Sequence, residues 1–169
     1  MTATFLDQFR AVLAARGVLA AHVAGPEDRA FIRALVTADV EDTLRHAPAA
    51  VRAVMVALHV DGRRAQHARR YPRAQELVVT RGGEPVGTLL ADWTHPTTLA
   101  LLDMAVLPAR RGQGTGGEIL AAACAAAGDA GRGVRMAVFY DSPARWLLYR
   151  AGFRPVAEVG MDVVYGWGG

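Results

Sequence analysis

The stretch that most constrains this chain is LALLDMAVLPARRGQGTGGEIL, Leu99 to Leu120. An apolar run stops at Pro108, four glycines follow within six positions, and a helical pattern begins. Gly112, Gly114, Gly116 and Gly117 let the backbone take positive φ and come close to a ligand. Their amides would converge at the positive end of a helix dipole, which makes an anion site. Arg110 and Arg111 add charge at its mouth. A strand that turns on glycines into a helix also commits the neighbouring chain to a layered α/β arrangement.

The rest of the pattern fits that layout. Phe5, Phe9, Val12 and Leu13 predict an amphipathic helix over 3–16, ended by Gly17. A strand is expected over 18–24. A second helix starts at Pro26, with Glu27 and Asp28 in its first turn, and a third runs from Pro48 to about Arg70 with a weak point at Gly62. Residues 76–81 and 85–92, separated by Gly82-Gly83, read as an antiparallel hairpin. A strand over 99–107, a helix over 114–128, a strand over 134–140 and a helix over 142–151 follow, then short strands at 156–159 and 161–165. The expected fold is one mixed α/β (α+β) domain over 1–169, with a mostly antiparallel sheet flanked by helices. It divides into an N-terminal helix (1–17), acceptor-side helices (18–72) and a sheet-and-helix region that holds the ligand (73–169).

Composition narrows the class. Hydrophobic residues are 52% and charged residues 21% of 169, enough apolar material for a core. The single cysteine, Cys124, excludes an internal disulfide and suits a reducing compartment. No apolar run is long enough for a membrane span, and the N-terminus lacks a signal-peptide pattern, so a cytoplasmic location is expected. The net charge is +3, yet every Lys-or-Arg position is Arg and Asn is absent, a skew that fits GC-rich coding better than nucleic-acid binding. The basic stretch Arg63–Arg73 reads as a solvated helix face, with attraction of an acidic substrate as the other reading.

Three phosphate loops compete for the glycine-rich turn. A Walker A loop needs Lys then Ser or Thr after its last glycine; here Glu118 and Ile119 follow Gly117. GQGTGG matches the dinucleotide fingerprint G-x-G-x-x-G, but too little chain follows for a doubly wound sheet. The run V-x-P-x-x-R-R-G-x-G-x-G, Val106 to Gly116, resembles the acetyl-CoA segment of the GNAT superfamily of N-acetyltransferases. A second stretch, SPARWLLYRAGFRPV, Ser142 to Val156, is similar to that family's helix with a Tyr shortly before Gly-Phe, here Tyr149, Gly152 and Phe153.

The resemblance implies an acetyl-CoA-dependent N-acetyltransferase, an acyltransferase acting on a small-molecule or peptide amine. Ala105 and Val106 would pair with the pantetheine arm like an added strand. Arg111, Gly112, Gln113, Gly114, Thr115, Gly116 and Gly117 would form the pyrophosphate loop. Ser142, where the family often has Asn, either touches the pantetheine or caps its helix. Tyr149 is the implied acid for the departing thiolate. Asp103, the only charge within 99–106, is the leading base or substrate-binding group, with Asp92 and His95 behind it. The site is expected where the 99–107 and 134–140 strands diverge. The other reading of the same residues is a non-catalytic acyl-CoA-binding sensor. No metal is expected, because the five histidines show no ligand spacing. Neither a nucleic-acid nor a membrane partner is expected. The N-terminal helix either folds onto its own domain or covers a partner subunit in a homodimer.

Overall fold

In the computed structural model, which describes residues 4–168, the chain forms one seven-stranded sheet with helices on both faces. The elements are α1 (Phe5–Ala15), β1 (Leu19–Val23), α2 (Arg29–Thr43), α3 (Ala49–Arg70), β2 (Gln75–Arg81), β3 (Glu84–Asp92) and β4 (Thr98–Val106). They continue as α4 (Thr115–Asp129), β5 (Gly133–Phe139), α5 (Ala144–Arg150), β6 (Arg154–Val159) and β7 (Asp162–Trp167). The spatial order is β1-β2-β3-β4-β5-β7-β6, and every pair is antiparallel except β4–β5. That parallel pair is joined through α4, as a crossover requires.

Local chemistry explains the boundaries. Thr4 and Asp7 form a reciprocal capping box at the start of α1. Pro26–Asp28 makes a 3-10 turn that leads into α2, so the regular helix starts three residues later than Pro26 suggests. The β2–β3 turn uses Gly82 and Gly83 at φ 59° and 87°, where side chains are strained. Gly62 does not break α3: the helix is continuous over 22 residues, and the space beside Gly62 is open. The helix there needs only its own backbone bonds, and the roughly 1 kcal/mol cost of glycine is too small to interrupt it.

The two faces of the sheet are covered unequally. One carries α1, α4 and α5 over Leu77, Val79, Leu89, Leu99, Leu101 and their neighbours. Small residues on α4, such as Ala122, Ala123, Ala126 and Ala127, bring it close to the sheet. The helix α1 docks on its own domain: Phe9 is fully buried, and the Phe5 and Phe9 rings lie 5.7 and 5.0 Å from Trp93. The Arg132 guanidinium sits 4.6 Å above Phe5. Phe9→Ala should therefore destabilise the fold by about 3 kcal/mol, read as a lower denaturant midpoint at unchanged slope. The other face carries α2 and α3 over a small cluster of Ile32, Val36, Val60 and Val78.

Candidate active site

The site starts from a fault in β4. Opposite Leu90 and Ala91 of β3 stand Asp103 and Leu101, so Leu102 is an extra residue in the strand. Leu99 and Leu101 enter the core beneath α1 and α4, and Met104 packs against the same core. Asp103 and Ala105 instead face the α2–α3 layer, where they line a cleft. The bulge thus lifts a carboxylate out of a face on which Leu99 and Leu101 are buried. Beyond it, β4 and β5 part: their pairing covers only Thr98–Leu101 against Gly133–Met136. The backbone of residues 103–106 is bonded to β3 on one side and has no strand beside it on the other.

The glycine-rich turn lies at the end of this free edge. Gly112 and Gly114 take φ 71° and 84°, and Gly114 is the N-cap of α4. The first amides of α4 have no acceptor within the helix and point out of its positive end. Thr115 is buried; its hydroxyl accepts a 3.3 Å hydrogen bond from Arg81, which also reaches Glu118 at 3.2 Å. These contacts fix the loop from behind. The Gln113 side chain closes the turn by donating to the Ala109 carbonyl at 3.1 Å. Gly116 and Gly117 pack against Leu147 of α5. At Gly116 a Cβ would stand 3.0 Å from Leu147 Cδ2.

The Arg111 side chain leaves the loop and crosses to α2. It donates to Asp39 and Asp42 at 2.9 Å each, and its Nε donates to the Val106 carbonyl at 3.1 Å. The sequence reading put Arg111 among phosphate-loop residues by its motif position; its guanidinium also joins that loop to α2. The Ser142 hydroxyl accepts the Ala144 amide at 3.2 Å at the start of α5. Tyr149 is half-exposed on α5, its ring 5.4 Å from Tyr165 in an edge-on arrangement. Burial, and then the Tyr149 hydroxyl, push Tyr165 above the usual phenol range. Tyr149 thus belongs to the α4–α5 layer and Asp103 looks into the α2–α3 layer, on either side of the opening between β4 and β5.

The cleft at Asp103 holds a residue that sequence reading missed. Val60, Arg63, Arg64 and His67 line it from α3, and Asp39 lines it from α2. Their spacing of i, i+3, i+4 and i+7 marks one face of α3. That spacing was the available signal, hidden by the surrounding arginines. Asp103 accepts the Met104 amide at 3.0 Å. Burial raises Asp39 above the usual carboxylate range, against the pull of Arg111; Asp103 adds to the rise. Burial lowers His67, helped by Arg63 and opposed by Asp103. Burial likewise raises Glu76, against its ion-pair partner Arg64. The enclosed part of the cleft, about 40 Å³, is room for roughly three waters or one small head group.

The remaining candidates are engaged elsewhere. Asp92 caps its own loop, accepting from the Thr94 amide at 2.9 Å, and His95 lies 3.4 Å from Thr97. Cys124 is buried in α4, its thiol pushed up to about 12 by desolvation, so it stays protonated. Among the described residues no group of three or more His, Cys, Asp or Glu converges as a metal site, and no helix is long and apolar enough to cross a membrane.

A bulged strand thus splays from its parallel neighbour, with a glycine-rich helix start at the fork. Residues 40–153 match the family model described as Acetyltransferase (GNAT) family, and this chain belongs to that family. It is therefore an acyltransferase that transfers acetyl groups. No curated protein matches the sequence. Solved structures share the fold. The PaiA N-acetyltransferase from Thermoplasma acidophilum, in complex with coenzyme A, aligns at TM-score 0.68 and 11% identity over 89% of this chain and 99% of its own. The GCN5-related N-acetyltransferase from Rhodopseudomonas palustris aligns at 0.64 and 20% identity, covering 90% and 96%. The protein yncA from Salmonella typhimurium, with its cofactor acetyl-CoA, aligns at 0.52 and 16% identity, covering 90% and 94%.

Proposed function

We propose that this protein transfers the acetyl group of acetyl-CoA to a primary amine by direct attack, in one domain spanning 1–169. The observation that carries the reading is the fork: a free strand edge at Ala105 and Val106, a phosphate-binding helix start beside it, and a carboxylate lifted into the adjoining cleft. The free edge offers backbone groups that a pantetheine arm could pair with, and the amides from Gly112 to Gly117 offer donors for a pyrophosphate. The hydroxyl of Ser142 keeps its proton to donate to the arm while it accepts from Ala144.

The chemistry follows from proton accounting. An alkylamine of pKa ~10.4 is neutral about once in several thousand at pH 7, a handicap near 4.6 kcal/mol. Asp103 attracts the ammonium into the cleft, where its surplus proton leaves to a general base, directly or through water. The neutral amine attacks the thioester carbonyl, a C–N bond forms, and the C–S bond breaks as the adduct collapses. Tyr149 gives its proton to the departing thiolate and regains one from the adduct nitrogen. A thiolate of pKa ~8.5 leaves readily, so the acid contributes modestly. Tyr149→Phe should lower kcat about tenfold with acetyl-CoA affinity unchanged. An unchanged kcat in single-turnover measurements would remove Tyr149 from the mechanism.

The reading is tested by calorimetric titration with acetyl-CoA, with NADH as control, followed by a thiol-release screen over primary amines. Saturable acetyl-CoA binding and amine-dependent thiol release are expected. Binding with thiol release that no amine accelerates would instead favour the acyl-CoA sensor.

A further inference from the structure

We propose that His67 is the base that takes the proton from the acceptor amine, with Asp103 holding that amine beside it. This rests on the amine-acetylation reading above and assigns it a residue that no family motif supplies.

The geometry carries the assignment. His67 lines the same cleft as Asp103, and α3 brings it there as the last member of the Val60, Arg63, Arg64, His67 face. Its charged surroundings come from both sides of the fork. Asp103 on β4 and Asp162 on β7 act on it from the sheet, and Arg63 and Arg64 from its own helix. Asp39 lines the cleft from α2. The imidazole therefore shares a cleft with Asp103 and Ala105, the residues of β4 beyond its pairing with β5. The cleft, about 40 Å³, has room for an amine head group or a bridging water.

The electrostatics divide the labour. Asp103 attracts an ammonium, but a carboxylate is a weak base toward it. Burial and Arg63 hold His67 below its usual range, so it is unprotonated at pH 7 and ready to accept. The step balances as follows. The ammonium N–H proton passes to the His67 ring nitrogen, and the freed lone pair forms the C–N bond. The C–S electron pair leaves on sulfur, which becomes the thiol with the second amine proton, relayed through Tyr149. His67 then releases its proton to water, for a net release of one.

The test is the pH dependence of kcat/KM, at saturating acetyl-CoA, with propylamine, ethanolamine and glycinamide as probes. The wild type should lose activity with falling pH along a limb below 6.5. His67→Gln should lose that limb and about 100-fold in rate. Arg63→Gln removes a cation and should move the limb up; Asp103→Asn removes an anion and should move it down. A histidine with only a packing role moves neither. An unshifted limb in both variants, or a His67→Gln enzyme that keeps limb and rate, overturns the proposal. If His67→Gln misfolds, the opposite shifts in the other two variants still decide. Acetyl-CoA binding without acetylation of any probe ends the amine reading and this inference together; acetylation with an unaltered limb ends this inference alone. An NMR titration of the His67 imidazole needs no acceptor, and a midpoint that moves in neither Arg63→Gln nor Asp103→Asn also overturns it.

Discussion

Gly114→Val should weaken acetyl-CoA binding at least 100-fold while leaving the far-ultraviolet circular dichroism unchanged. Gly114 caps α4 at φ 84°, a conformation in which a β-branched residue is strongly disfavoured. Strain of about 1–3 kcal/mol would be relieved by turning the peptide units on either side of it. Those units carry amides that must face one anion. A charge-assisted hydrogen bond contributes about 1.5–3 kcal/mol, so misdirecting one and meeting the strain exceeds a hundredfold. Gly116→Ala is the informative contrast. Its backbone angle is ordinary, and its new Cβ meets the flexible tips of Leu147 at 3.0 Å and Met104 at 3.8 Å. It should cost tenfold or less. Equal losses from both changes would mean that crowding, rather than amide direction, governs the loop.

The second large effect is expected at Asp103. Asp103→Asn preserves shape and the bond to the Met104 amide, and removes the charge that draws an ammonium into the cleft. A charge-assisted contact in this half-enclosed place contributes about 1.5–3 kcal/mol, so kcat/KM for amine should fall roughly 100-fold. Acetyl-CoA affinity should stay within twofold, because the glycine-rich turn lies beyond the end of the strand, at the start of α4. Calorimetry beside steady-state kinetics separates the two. A loss of acetyl-CoA binding in this variant would place Asp103 in the wrong half of the site.

Much of this architecture is written in local patterns. Pro26, the Gly82-Gly83 pair and the glycines of 112–117 each act within a few residues, so they mark a helix start, a hairpin and the turn into α4 from sequence alone. The 3.6-residue repeat of Phe5, Phe9 and Leu13 likewise identified a buried helix face. What it could not give was the surface that face meets, which Trp93 supplies from a distant loop. The bulge at Leu102 is equally silent, because strict alternation puts Asp103 on the face of Leu99 and Leu101. Its polarity argued for a cleft, and the pleat did not. His67 was obscured for a different reason. In RRAQHARR the neighbouring arginines read as solvated, although four positions of that helix turn inward. Arg111 shows the limit of a motif: its backbone position follows the family pattern, while its guanidinium reaches Asp39 and Asp42, far away in sequence.

The unequal covering of the sheet gives this molecule two rates of change. Beneath α1 and α4 the side chains interlock, so almost any exchange leaves a void or a clash. Beneath α2 and α3, among the described residues, only Ile32, Val36, Val60 and Val78 form a buried cluster. Substitutions on those helices cost little stability, yet they line the acceptor cleft. On the function proposed above, the half that holds the acetyl donor is thus locked by its own packing, while the half that chooses the recipient is free to diverge. A lineage carrying this fold can try new recipients one residue at a time without first rebuilding its foundation.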